Sequence, residues 1–208
     1  MRRAYIPKKR NTGNRQRKSV ILLAAEGNNK TEKLYFSAFA DERCNIRFAK
    51  GNDTDPLHLA NSLLNEYKRL ELDSELGDSV FCLVDGDLSS LQEKRILQAE
   101  NKLSKICGVM IVSNPCFEIW FLCHYSFSTK QFSSGQEVIE TLKQYIPDYS
   151  KGKKNMYDLL QEKTINGIAN AKKLEHYHLA AGNNIKQYDC QPRTDVYKVV
   201  EQILKQKQ

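Results

Sequence analysis

An α/β fold, with a parallel sheet flanked by helices and followed by a mostly helical C-terminal portion, is predicted by three observations. Short apolar runs at residues 19–25, 79–84 and 108–113 have the pattern of strands buried on both faces. Between them lie segments whose apolar residues recur at helical spacing. Beyond residue 117 the strand-like runs stop, and one helical pattern follows another. Strands that alternate with helices of this length need crossover connections, which implies parallel pairing.

The elements can be justified in order. Residues 19–25, SVILLAA, read as the first strand, and residues 31–40 have helical composition with Thr31 as a candidate N-cap. Residues 45–50 read as a short strand. Asp55-Pro56 is a good helix opening because proline fits the first helical position, and Leu59, Ala60, Leu63, Leu64, Tyr67 and Leu70 then share one face. After the strand at 79–84, Ile96, Ala99, Leu103 and Ile106 mark residues 91–106 as the crossover helix to a fourth strand at 108–113. Helices are expected at 117–124, 135–146, 155–161, 165–180 and 195–205. The chain thus divides into a basic arm (1–18), an α/β core (19–125) and a helical extension (126–208) that packs on the core.

Composition bounds the class. At 208 residues and 40% hydrophobic, the chain can bury a sizeable core. No run approaches the roughly 18 apolar residues of a membrane span, and MRRAYIPKKR lacks the apolar segment of a secretory signal, so a cytoplasmic protein is expected. The six cysteines form no CxxC pair and sit mostly in apolar runs, which points to reduced core thiols and not to a zinc site. The formal charge is +7, but residues 1–18 carry eight basic residues and no acidic one: Arg2, Arg3, Lys8, Lys9, Arg10, Arg15, Arg17 and Lys18. The remainder has 24 basic and 25 acidic residues, a balance of −1. The arm reads either as a solvated tail or as a non-specific phosphate contact that releases counterions on binding, and composition does not choose between them.

The chemistry-bearing residues sit where strands end. In an open parallel sheet, ligands bind outside the carboxyl ends of the strands. Glu26 follows the first strand, Asp85-Gly86-Asp87 follows the third, and Asn114-Pro115 follows the fourth. Carboxylates gathered at one edge repel one another unless a cation neutralises them, and Mg²⁺, a hard ion that prefers oxygen ligands, is the natural choice, with Mn²⁺ as an alternative. Gly27 and Gly86 let the backbone turn sharply beside such an ion. A P-loop is set aside: GNNKT lacks both the length and the second glycine of that motif. Without an ATP site here, a partner ATPase, if activation needs one, is expected to be a separate chain. Self-association is left open.

A glutamate after the first strand and an Asp-x-Asp after a later one resemble the Toprim domain of topoisomerases, primases and overcoming-lysogenization-defect nucleases. The fuller string EGNNKTEKLYF, VDGDL, SNPCFEIWFLCHY, Tyr149-Ser150-Lys151, INGIANAKKL and QPRTDVYKVVEQIL resembles the RloB-like family, which is related to the abortive-infection protein AbiLii. The resemblance runs from about residue 18 to the end. It implies a Toprim-like sheet and a role in bacterial anti-phage defence. Glu26, Asp85 and Asp87 match the Toprim acids, and Glu118, in the first turn of the following helix, is the natural fourth; its alternative reading is a helix-dipole carboxylate. Lys151 occupies the position where related nucleases are expected to hold a lysine near the scissile phosphate. Lys30, Lys153 and Lys172 are further candidate phosphate contacts, as is Asn170. Gln191-Pro192-Arg193-Thr194 departs from the family pattern Asn-Pro-Ser-Thr, and Thr194 reads as a helix cap. Trp120 and Phe121 read as core. His176 and His178, two apart, face different sides of a helix and make a poor metal pair.

The function implied is metal-dependent cleavage of phosphodiester bonds in RNA, tRNA-like in the first instance, or DNA. The residues implicated are Glu26, Asp85, Asp87, Glu118 and Lys151. The alternative is a non-catalytic module that senses nucleic acid or nucleotide-Mg²⁺. No motif for reading DNA sequence is present.

Overall fold

The computed structural model of the protein describes residues 17–26, 30–51, 53–86, 90–183 and 190–207. Strands and helices alternate through its first half: β1 (Val20–Ala25), α1 (Lys30–Ser37), β2 (Asn45–Phe48), α2 (Pro56–Arg69), β3 (Ser79–Asp85), α3 (Ser90–Leu103) and β4 (Val109–Asn114). Then come α4 (Glu118–Cys123), α5 (Gly135–Leu142), α6 (Met156–Leu160), α7 (Thr164–Ala180), β5 (Arg193–Thr194) and α8 (Val196–Lys207). The sheet order is β2-β1-β3-β4-β5, parallel throughout except for the antiparallel β4–β5 pair.

The apolar runs are buried on both faces because helices cover both. Val20, Leu22 and Ala24 of β1, Val80, Cys82 and Val84 of β3, and Met110 and Val112 of β4 join one core with Leu59, Ala60 and Leu63 of α2 and Ile96, Ala99 and Leu103 of α3. The alternate residues, Ile21, Leu23, Phe81, Leu83 and Ile111, join a second core. Its other members come from every remaining helix, α1 and α4 to α8, and the loops beside them, among them Phe36, Trp120, Phe121, Val138, Leu160, Leu174 and Val200. Trp120 and Phe121 are wholly buried, as expected for core residues.

Asp55 caps α2 by accepting hydrogen bonds from Leu57 N and His58 N, with Pro56 at the helix start. At the amino-terminal edge of the sheet, buried Asp78 accepts from Val20 N at 2.7 Å and Asp73 N at 2.8 Å, and from Arg17 at 2.6 Å. Arg17 therefore pins the amino ends of β1 and β3 together. That edge is opposite the one that carries Glu26 and Asp85.

Several local expectations are corrected. The first helix starts at Lys30, which puts Thr31 inside its first turn; Thr31 Oγ1 accepts from the distant Gly152 N at 2.9 Å and does not cap α1. Residues 104–106 leave α3 for a tighter 3-10 turn. The helix expected to run to residue 146 ends at Leu142. The fifth strand was not expected at all: Thr194 pairs with Ser113, their hydroxyls 2.9 Å apart, and also accepts from Val196 N at the start of α8. Among the described residues the cysteines form no disulfide, and no helix is long and apolar enough to cross a membrane. His178 is buried, its Nε2 3.0 Å from Pro192 O, while His176 is exposed.

His124 carries a pH dependence. Its Nδ1 donates to Trp120 O at 2.9 Å, and its ring lies so close to Gly167 that a Cβ there would be 2.9 Å from Cε1. Burial pushes its pKa down to about 4, against the opposing pull of hydrogen bonds to Trp120 and Phe121 and with help from the nearby Lys163 charge. Between the ordinary value near 6.5 and about 4, the unfolded chain binds the proton and the folded chain does not, so stability falls as pH falls through that window. Thermal melts from pH 7 to 4 should show this loss, and His124→Gln should flatten it. Equal slopes for the two proteins would remove His124 as its source.

Candidate active site

The sheet order reverses between β1 and β3: from β1 the chain moves first to β2 on one side, then to β3 on the other. A crevice forms outside the carboxyl ends of two strands at such a point. Glu26 is the first residue after β1 and Asp85 is the last of β3, and both line a cleft of about 560 Å³. Gly86, Asn114, Cys116, Ser134, Lys151 and Gln191 contribute to its walls. Gly86 is required by close approach, because its N–H donates to Ser113 O at 2.7 Å and a Cβ would lie 2.6 Å from Asn114 Cβ and 2.9 Å from Asn114 Cα. Asp87 and Gly27, also expected here, lie outside the described residues, as do Arg2, Arg3, Lys8, Lys9, Arg10 and Arg15.

Glu32 is an acid that sequence reasoning missed. It sits in the first turn of α1, 4% exposed, and shares with Glu26, Asp85 and Ser113 a crevice too small for water. Burial, then the Asp85 charge, raise its pKa to about 8; its own backbone hydrogen bond and Lys151 oppose this, and the Glu118 charge adds to it. Its Oε2 is buried without a hydrogen-bond partner among the described residues. An available signal was the position of Glu32 in the first helical turn after the Glu26 loop, facing the same strand ends.

Glu118 opens α4 but stands behind the cleft wall, 1% exposed, with its Oε1 accepting from Tyr149 at 2.8 Å. Lys151 is exposed at the cleft. Partial burial works to lower its pKa, but the fields of Glu118, Asp85, Cys116 and Glu32 outweigh this and raise it. Burial, followed by the charges of Glu118 and Asp85, pushes the Cys116 thiol far up, which favours its neutral form.

The other basic candidates are dispersed. Lys30 is exposed, and its side chain lies against Gly152 beside Lys151. Lys153 pairs with Asp148 at 2.6 Å. Lys172 pairs with Glu201 at 2.6 Å in a separate groove between α7 and α8. Asn170, considered for phosphate contact, instead donates to Cys123 O at 2.8 Å. Arg17 is at the opposite sheet edge, and Lys18 is exposed next to it.

The donor set suits a hard cation. Among the described residues no group of three His, Cys, Asp or Glu side chains is placed to hold a metal ion. Mg²⁺ does not need one: it is commonly held by one or two carboxylates with several waters and substrate phosphates. The two carboxylates at the open cleft, Glu26 and Asp85, fit that mode.

The fold and site define an α/β protein with an acid-lined cleft at the switch point of a mainly parallel sheet. A family model described as RloB-like protein matches residues 21–203, and the chain belongs to the RloB-like family. No curated protein and no solved structure gives a significant match to the chain.

Proposed function

We propose that this chain is a metal-dependent nuclease that cleaves phosphodiester bonds of RNA, tRNA-like in the first instance, in bacterial defence against phage. The observation that carries this reading is the meeting of Glu26, Asp85 and Lys151 at one cleft outside the ends of β1 and β3. Glu26 and Asp85, with Asp87 two residues on, would hold Mg²⁺ or Mn²⁺. Once bound, the ion supplies a Lewis acid and a water of lowered pKa suited to in-line attack. The Lys151 ammonium offsets the charge of the phosphate oxygens, and the acids around it favour its protonated form. The defence role and the preference for RNA over DNA rest on the resemblance to abortive-infection proteins; a partner ATPase, if activation needs one, would be a separate chain, since the sequence has no P-loop.

The test is incubation of purified protein with total tRNA, messenger-like RNA, and single- and double-stranded DNA, in Mg²⁺, Mn²⁺ or EDTA. Discrete products that need metal and appear with RNA support the proposal; products from DNA alone would reassign the substrate.

The arm has its own expected result. Residues 1–16 carry six of the basic side chains, so deleting them should reduce the slope of log affinity against log salt for single-stranded RNA by up to about 4. An unchanged slope assigns the arm to solvent.

A further inference from the structure

The segment 149–152 is joined to the body of the protein at both ends. At one end Tyr149 is 2% exposed, packs edge-on against Phe121 with ring centroids 6.0 Å apart, and donates its hydroxyl to Glu118 Oε1 at 2.8 Å. At the other, Gly152 N donates to Thr31 Oγ1 at 2.9 Å on α1, and Gly152 adopts φ +81°, a turn conformation suited to glycine. Lys151 lies between these two anchors and lines the acidic cleft.

Glu118 itself is on the inner side of this arrangement. At 1% exposure, with an oxygen engaged by Tyr149, it is shielded from the space where a hydrated cation would be held. We infer that Glu118 is a positioning residue which, through Tyr149, fixes the turn that carries Lys151 across the cleft, and that it is not a metal ligand. The use of Lys151 on phosphate rests on the nuclease reading; the clamp does not. The turn, α1 and α4 meet through two hydrogen bonds between residues 31 and 121 positions apart in sequence. Loss of the Tyr149 bond loosens one end of a four-residue segment that is otherwise held there by packing on Phe121 and by Tyr149 N donating to Ile146 O, so the lysine samples positions away from the cleft more often while Glu26 and Asp85 stay in place.

The test measures amide hydrogen exchange at Gly152 and Mn²⁺ affinity by electron paramagnetic resonance in the full chain, for wild type, Tyr149→Phe, Glu118→Gln and Glu118→Ala. Exchange at Gly152 should rise about five- to tenfold in Tyr149→Phe and Glu118→Ala, the effect of losing one hydrogen bond, with the amides of β1 and β3 unchanged. Glu118→Gln should restore slow exchange, because its amide oxygen still accepts from the phenol. Mn²⁺ affinity should stay within about twofold of wild type in all three, since no ligand charge is lost from the ion. Unchanged exchange in Tyr149→Phe overturns the clamp, and a fall in Mn²⁺ affinity of about tenfold or more in Glu118→Gln makes Glu118 a ligand. If Glu118→Ala does not fold, the two conservative variants decide. If even the wild type binds no Mn²⁺, the nuclease reading fails, and the exchange data alone decide the clamp.

Discussion

Asp85→Asn should lower metal-dependent cleavage by about 10²–10³-fold, since several kcal/mol of transition-state stabilisation are at stake at about 1.36 kcal/mol per decade. It should do so without unfolding the protein. Asp85 ends β3, paired with Ser113 of β4, and its charge contributes to raising the Glu32 pKa to about 8. The amide keeps the shape of the carboxylate and removes one of the mutually repelling charges. The thermal midpoint should therefore hold or rise, a separation of activity from stability characteristic of functional sites. The Glu32 titration should move down toward the ordinary carboxylate range. Cleavage assays, melts and a carboxyl titration check the three parts; full activity in Asp85→Asn would remove this residue from the chemistry.

Gly86→Ala acts on the same site through the backbone. The new Cβ would be placed 2.6 Å from Asn114 Cβ and 2.9 Å from Asn114 Cα, distances that real side chains do not adopt. The strand end cannot retreat easily, because Gly86 N is held to Ser113 O at 2.7 Å. Overpacking of this kind costs about 1–3 kcal/mol, which for a chain of this size lowers the melting midpoint by roughly 2–12 °C. Cleavage should fall as well, since Asp85 is the adjacent residue. Gly135→Ala is the control: it also lines the cleft, but its Cβ would meet Cys116 at 3.4 Å, an ordinary contact. Calorimetry on both variants checks the contrast, and equal midpoints would show that Asn114 yields at no cost.

Much of this arrangement was legible in the residues. β1, β3 and β4 announced themselves because strands covered on both faces are continuous apolar runs, and α2 did because Asp55-Pro56 and its apolar face agree. Glu26 and Asp85 were legible because a parallel sheet brings successive strand ends to one edge. β5 was not: two residues after Pro192 carry no periodicity, and only pairing with Ser113 and Asn114 makes them a strand. Thr31 reads as a cap from local sequence alone, because its actual partner, Gly152, is 121 residues away. The importance of Glu32 and the link from Glu118 to Tyr149 have the same origin, since each depends on contacts between segments distant in the chain.

The central claim is that the acidic cleft performs a reaction and does not merely bind. The most direct measurement compares wild type with Glu26→Gln for RNA cleavage in Mg²⁺ and for RNA affinity in EDTA. The account predicts that cleavage is lost and affinity is retained. Loss of affinity with no cleavage by either protein would contradict it and identify the cleft as a binding site without turnover.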